Sequence, residues 1–379
     1  MSKHICVVTG SRADYGILRP VMHAIKAHPK LKLSVVCTGM HLHKAFGNTH
    51  KEVEKEFTIH KAGAPYLSDD PISVTKNIGE SIVNLAHTFH DIGQDITLVL
   101  GDRSEILAAS IASCYMNIPL AHIHGGDKSE GGLDESARHA ITKLAHIHLA
   151  ATKTSAMRIR KMGEQPWRIH VVGAPGLDSI LHDRAATKKE IEEFLGSPLP
   201  SPLIFVTQHS ISTQPDAAAG QMRKTLDTIE NIGAHTIISY PNSDAGGPHM
   251  IKEIEKRTNP LIHRFASIPH HIYLGILRHA DVMVGNSSSG IIEAPSMHLP
   301  VVNIGRRQHG RERATNVIDV DHDSVAIERA IKKAMTHSFK KKCATCVNPY
   351  GDGRASDRIA TILAETRLDQ NLLQKQITY

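Results

Sequence analysis

Asp102 follows the apolar run Leu98-Val99-Leu100-Gly101, with Arg103 beside it. A carboxylate kept ionised by a neighbouring guanidinium at the end of a strand is suited to proton transfer. The next apolar run ends in His122-Ile123-His124-Gly125-Gly126-Asp127, which a period of two places with both histidines on one face. Gly131-Gly132-Leu133-Asp134-Glu135 then leads into a helix in which Asp134 and Arg138, and likewise Glu135 and His139, are i,i+4 neighbours. Several carboxylates around one pocket repel one another, so at least one pKa should rise into the range of acid/base work. Asp134 is equally of the residue type that caps a helix. His122-x-His124 has the spacing of a metal pair, but no further ligand stands at a clear spacing, and no metal is expected. Cys343-Ala344-Thr345-Cys346 is a C-x-x-C without a second pair, which makes a poor zinc site.

Other loops suit an anion. Gly10-Ser11-Arg12-Ala13-Asp14-Tyr15-Gly16 joins a strand to a helix whose free N–H groups favour negative charge, and Arg12 adds a bidentate phosphate donor. Further on, Gly285-Asn286-Ser287-Ser288-Ser289-Gly290 offers backbone and hydroxyl donors to a pyrophosphate, with Glu293 placed to accept from a ribose diol. Arg306, Arg307, Arg311 and Arg313 follow the next strand, and His209 follows an earlier one. On residue types alone these segments also read as ordinary βα turns with solvated arginines, and Glu293 as a first-turn acid matched to the helix dipole. Neither G-x-G-x-x-G nor G-x-x-x-x-G-K-[ST] occurs, which disfavours nicotinamide redox chemistry and P-loop ATP hydrolysis.

Such residues need a scaffold that gathers strand ends. The chain of 379 residues alternates short apolar runs with helix-length amphipathic ones, the pattern of stacked βα units and a parallel sheet. The first half predicts strands at 5–9, 33–38, 96–100, 120–123, 148–151 and 169–172. The second predicts strands at 203–207, 236–239, 261–265, 282–284 and 301–304. The expected class is therefore α/β, with two Rossmann-like doubly wound domains and a ligand cleft between them. The expected limits are 1–173 for the domain with the carboxylates and 174–355 for the domain with the serine-rich loop. A linker is read from Gly173-Ala174-Pro175-Gly176 through the proline-rich 197–202, and residues 356–379 are read as one helix packing back on the first domain. Composition is that of an ordered globular chain, 41% hydrophobic and 22% charged. Lys and Arg number 44 against 38 acidic residues, spread along the chain, and aromatics are 4%, so no nucleic-acid stripe or stacking platform is present. No apolar run approaches the roughly 18 residues of a membrane span, and the start at Met1–Val8 carries no cleavable leader, so a cytoplasmic location is expected.

The ordered motifs Thr9–Gly16, Val36-Cys37-Thr38-Gly39-Met40-His41, Gly101-Asp102-Arg103, His122–Asp127, Arg138-His139-Ala140-Ile141-Thr142-Lys143, Gly285–Gly290 and Asn303–Gln308 together resemble the hydrolysing UDP-N-acetylglucosamine 2-epimerases of bacterial sialic-acid synthesis. The similarity runs from Ile5 to about Gly351. It implies the two-domain GT-B arrangement, a homodimer or homotetramer, and no cofactor. The implied reaction converts UDP-N-acetylglucosamine and water to N-acetylmannosamine and UDP. A base removes the C2 proton as UDP leaves C1, and water then adds to the resulting glucal. The resemblance puts catalytic roles on Asp102 and Asp134 and a UDP-sugar on Arg12, Arg103, His209, Ser288, Ser289, Glu293 and Arg306. Asn242 and Asp244 fall on a further family motif of the cleft. Where some members carry a catalytic glutamate this chain has His124, and that role is shared between His124 and Asp127. The same resemblance admits UDP-2,4-diacetamido-2,4,6-trideoxyglucose, a precursor of legionaminic acid, as substrate. A GT-B glycosyltransferase, which shares the nucleotide loop, is the alternative from another class.

Overall fold

The computed structural model describes residues 2–44, 47–64, 70–128, 134–211, 214–241 and 245–379. They form two compact units. The first comprises the described residues up to Ser179 together with Tyr350–Tyr379, and the second is Ile180–Pro349.

The first unit carries strands β1 (Lys3–Thr9), β2 (Leu31–Cys37), β3 (Ile59–Lys61), β4 (Ile96–Leu100), β5 (Leu120–Ile123), β6 (Ile147–Ala150) and β7 (Ile169–Val171). They form one parallel sheet in the order β3-β2-β1-β4-β5-β6-β7. Its central strands are apolar throughout because helices cover both faces. Ile5, Val7 and Leu98 face one layer with Leu18 and Met22 of the helix Arg12–Ala27. Cys6, Val8 and Val99 face the other with Leu85, Phe89 and Ile106. Each such aliphatic side chain, fully buried, contributes about 1.5–3 kcal/mol.

The second unit repeats the plan with β8 (Leu203–Thr207), β9 (His235–Ser239), β10 (Ile262–Phe265), β11 (Val282–Gly285), β12 (Val301–Ile304) and β13 (Val317–Val320), again all parallel. The order is β10-β9-β8-β11-β12-β13. In each sheet the order reverses direction beside the first strand, between β1 and β4 and between β8 and β11. Loops after those strands are where such sheets hold ligands.

The strands absent from the sequence reading are β3 and β13. Both lie at sheet edges, are short and are half-exposed, so neither shows an apolar run. The segment read as a linker is ordered. Ala174 N–H donates to the Tyr350 carbonyl at 2.7 Å, the helix Gly176–His182 follows, and Thr187 with Glu190 forms a capping box for the helix Lys188–Leu195. The helix Pro71–Ile92 begins where the Asp70 carboxylate accepts from the N–H groups of Ile72 and Ser73.

The single helix expected over 356–379 is instead Ala355–Glu365 followed by the short Gln370–Leu373 and an irregular tail. Asp178 caps its start, accepting from Ala355 N–H at 3.1 Å and Ser356 N–H at 2.6 Å, and the helix lies on Arg12–Ala27. Lys3 Nζ closes its far end by donating to carbonyls of Leu363 and Thr366. The tail is held by charge. Glu164, whose side chain is 1% exposed, accepts from Lys143 at 2.6 Å, Lys375 at 2.8 Å and His148 at 3.0 Å. Lys375 also donates to the carbonyls of Lys143 and Ala145, at the end of the helix Asp134–Leu144. Among the described residues no helix is long and apolar enough to cross a membrane.

Candidate active site

In the first unit, Gly101 turns the chain after β4 with a φ of +79°, and Asp102 follows it. The Asp102 carboxylate accepts from Nη2 of Arg138, whose side chain is only 7% exposed. Nη1 of the same guanidinium donates to the Asp127 carbonyl at 2.8 Å. One arginine thus ties the end of β4 to the loop after β5. The sequence reading paired Arg138 with Asp134 and Arg103 with Asp102, and the structure differs on the second pairing. Arg103 points to Asp14, at 3.7 Å, and to the sulfur of Met40, at 3.4 Å. A side chain next in sequence leaves a strand end on the other side, whereas the helix Asp134–Leu144 presents Arg138 to the strand ends. Asp134 opens that helix, but its side chain lies outside the described residues.

His122 and His124 do not act as a pair. His122 is wholly buried, its Nε2 2.8 Å from the Gly101 carbonyl and its Nδ1 3.3 Å from Thr142 Oγ1. Burial pushes its pKa down to about 3, so it stays neutral, donating to Gly101 and accepting from Thr142. His124 has left the strand. Its φ of +64° is the left-handed region, uncommon for a residue with a Cβ, so the strand's period of two no longer applies to it. Its Nδ1 lies 2.8 Å from Asp127 Oδ2, and Asp127 Oδ1 accepts from Ser155 Oγ at 2.7 Å. Gly126, at φ +72°, lets this loop touch the helix Lys153–Lys161, since a Cβ there would stand 2.3 Å from the Ser155 carbonyl oxygen. Arg158 closes the contact by donating to the Gly126 carbonyl.

At the start of the helix Arg12–Ala27, Ser11 Oγ caps the Asp14 N–H. Arg12 is largely exposed and pairs with Glu52 at 3.1 Å. Asp14 is 9% exposed, and burial raises its pKa to about 6 against the opposing pull of Arg103. The folded-state value therefore lies above the unfolded one. The stability of the wild type relative to Asp14→Asn is fully present below about pH 4 and is lost as the pH rises through about 6. The expected change is about 2–3 kcal/mol in the difference between the two proteins. Urea unfolding of both at several pH values checks it, and a pH-independent difference would contradict it.

In the second unit, Gly285 ends β11 at φ +135°, where a Cβ would stand 2.1 Å from the Thr207 carbonyl oxygen at the end of β8. That approach lets Asn286, 1% exposed, clamp the His209 backbone. Its Oδ1 accepts from His209 N–H at 2.7 Å and its Nδ2 donates to the His209 carbonyl at 2.9 Å. The Asn286 carbonyl in turn accepts from Gln308 at 2.9 Å and Arg307 at 3.2 Å. Loops after β8, β11 and β12 are joined through one asparagine.

The helix after β11 is only Ser289–Ile292, followed by a 3-10 turn at Ala294–Met297. So short a helix has little macrodipole, and the expected anion site reduces to individual N–H groups and hydroxyls, with Ser287 and Ser288 half-exposed. Ser289 is turned inward, its hydroxyl on Glu293 and on Tyr273, and Tyr273 donates to Glu293 at 3.1 Å. Burial raises the Glu293 pKa despite these two donors. Arg306 is exposed in the loop after β12, and Arg313 further along pairs with Asp319 at 2.7 Å and donates to the carbonyls of Gln308 and Arg311. Asn242 and Asp244 lie outside the described residues.

Sequence reasoning assigned no site role to Arg138, Asn286, Tyr273 or Asp14. A signal existed for Arg138, one helical turn after Asp134, and for Asn286, next to the strand-ending glycine. Among the described residues no three His, Cys, Asp or Glu side chains converge as a metal cage.

A family model described as UDP-N-acetylglucosamine 2-epimerase matches residues 23–364. A UDP-N,N'-diacetylbacillosamine 2-epimerase (hydrolyzing) of Legionella pneumophila is 37% identical, with 100% of each chain covered. A UDP-N-acetylglucosamine 2-epimerase of Neisseria meningitidis is 34% identical, covering 95% of each chain. Among solved structures, a UDP-GlcNAc 2-epimerase from Neisseria meningitidis bound to UDP-GlcNAc superposes with a TM-score of 0.81 at 20% identity, over 96% of this chain and 100% of that one, and so shares its fold. The chain belongs to the UDP-N-acetylglucosamine 2-epimerase family.

Proposed function

We propose that this protein is a hydrolysing 2-epimerase, converting UDP-N-acetylglucosamine and water to N-acetylmannosamine and UDP. The observation that carries the reading is the Arg138 bridge, which fixes the Asp102 carboxylate and the His124–Asp127 loop at adjoining strand ends. The C2–H bond of the sugar is not acidified by an adjacent carbonyl, so departure of UDP must carry much of the barrier. Loops after β8, β11 and β12, with His209, Ser288 and Arg306, bind the nucleotide and stabilise the charge that develops on it, while Glu293 meets the ribose. Asp102 and Asp134 handle protons. In the first step C2–H breaks, its electron pair forms the C1–C2 double bond, and the C1–O pair leaves with UDP. In the second, water bonds to C1 and a proton is delivered to C2 on the opposite face.

A second reading keeps the chemistry and changes the sugar to UDP-N,N'-diacetylbacillosamine, the compound named above as UDP-2,4-diacetamido-2,4,6-trideoxyglucose. Identity to the Legionella relative, 37% over the whole chain, exceeds the 34% to the Neisseria one. Both sugars incubated with the protein in deuterated water, followed by proton NMR, test the proposal. The expected result is free UDP and an inverted amino sugar carrying deuterium at C2, with turnover faster on one substrate. No UDP from either sugar, or product without deuterium at C2, would overturn it.

A further inference from the structure

We propose that His124 Nε2 accepts the C2 proton in the elimination step, with Asp127 and Ser155 as positioning residues that fix its tautomer. This rests on the hydrolysing reaction proposed above. An ionised carboxylate only accepts hydrogen bonds. Asp127 receives Ser155 Oγ–H on Oδ1 and faces His124 Nδ1 with Oδ2, so the imidazole proton sits on Nδ1 and the lone pair on Nε2. A neutral imidazole in that tautomer is a proton acceptor, and the carboxylate behind it stabilises the imidazolium that forms.

The surroundings fit this use. Both side chains of the pair are 14% exposed, shielded from bulk water yet not sealed. The left-handed backbone at His124 is a sparsely populated conformation held by its surroundings, here the Gly126 contact and the Arg158 bond to the Gly126 carbonyl. Among the described residues, the charged and titratable groups tied to this loop are Asp127 on the loop itself, Asp102 after β4 through Arg138 on the helix Asp134–Leu144, Arg158 on the helix Lys153–Lys161, and the neutral His122 of β5. Arg138 is paired with Asp102, and Asp127 is the carboxylate in contact with the ring. In the reaction the C2–H proton passes to Nε2, the C2–H electrons become the C1–C2 π bond, and UDP departs with the C1–O pair.

The test measures UDP release from about pH 5 to about pH 9 for wild type, His124→Gln, His124→Glu and Asp127→Asn, with UDP binding measured in parallel. His124→Gln is expected to lose at least about 100-fold in kcat with UDP affinity kept. His124→Glu is expected to recover part of that loss, with the acid limb of its rate profile moved down towards the carboxylate range. Asp127→Asn removes the acceptor that holds the proton on Nδ1 and the partner of the imidazolium, so its kcat is expected to fall at least about tenfold with UDP affinity kept. An active wild type with kcat unchanged in His124→Gln or in Asp127→Asn, or an acid limb unmoved in His124→Glu, overturns this assignment alone. A wild type inactive on both sugars overturns the proposed reaction and this step with it.

Discussion

Asp102→Asn is expected to lower the rate of UDP release by about three orders of magnitude, the upper part of what one positioned acid/base group contributes. The substitution keeps the shape and one hydrogen-bond acceptor, so Arg138 can still reach both the side chain and the Asp127 carbonyl. What disappears is the charge. The variant also leaves the 7%-exposed guanidinium without its counter-ion, which should lower stability. Two readouts separate these effects. On the proposed function the second unit holds the nucleotide, so UDP affinity is expected to stay within a factor of about three while kcat collapses. Turnover within about tenfold of wild type in a folded variant would remove Asp102 from the chemistry.

The sheet was legible because its central strands are buried on both faces and therefore read as continuous apolar runs, as at Ile5–Val8 and Val282–Val284. Two of the four edge strands were not legible, because Ile59-His60-Lys61 and Val317–Val320 need little apolar surface when one side is solvent. For the candidate site, the apolar runs were enough to place Asp102, the His124 loop and the serine-rich turn directly after strands. Partners were harder. Arg103 stands beside Asp102 in sequence but not in space, and nothing in the chain near Asp127 points to Ser155, 28 residues away. Pairings of that kind are set by how helices lie on the sheet, which spacing along the chain does not encode.

Glu164→Gln is expected to be the most destabilising conservative change in the first unit. The carboxylate is 1% exposed and faces Lys143, His148 and Lys375, and these donors hold its pKa down to about 2 against burial. A depressed pKa means that this stability is present above about pH 4.5 and is lost as the pH falls towards about 2. The difference corresponds to about 3 kcal/mol, similar to the cost of breaking a buried ion pair by removing one partner. Urea unfolding at neutral pH should show that loss in the variant, shrinking to little as both proteins are taken below about pH 2. Because Lys375 also seizes carbonyls at the end of the helix that bears Arg138, some loss of kcat should accompany it. Unchanged unfolding at neutral pH would show that the cluster contributes nothing net.

The first unit is built from two stretches of chain, with Ile180–Pro349 spliced between them. On the ribosome this imposes a schedule. The spliced stretch is contiguous and can complete its sheet while still tethered, whereas the earlier one waits some 170 residues for Tyr350 and Ala355 to emerge and dock on Ala174 and Asp178. Nascent chains stalled before residue 350 should therefore expose the surface of Arg12–Ala27 that Ala355–Glu365 later covers, making that interval the one in which a chaperone has most to protect.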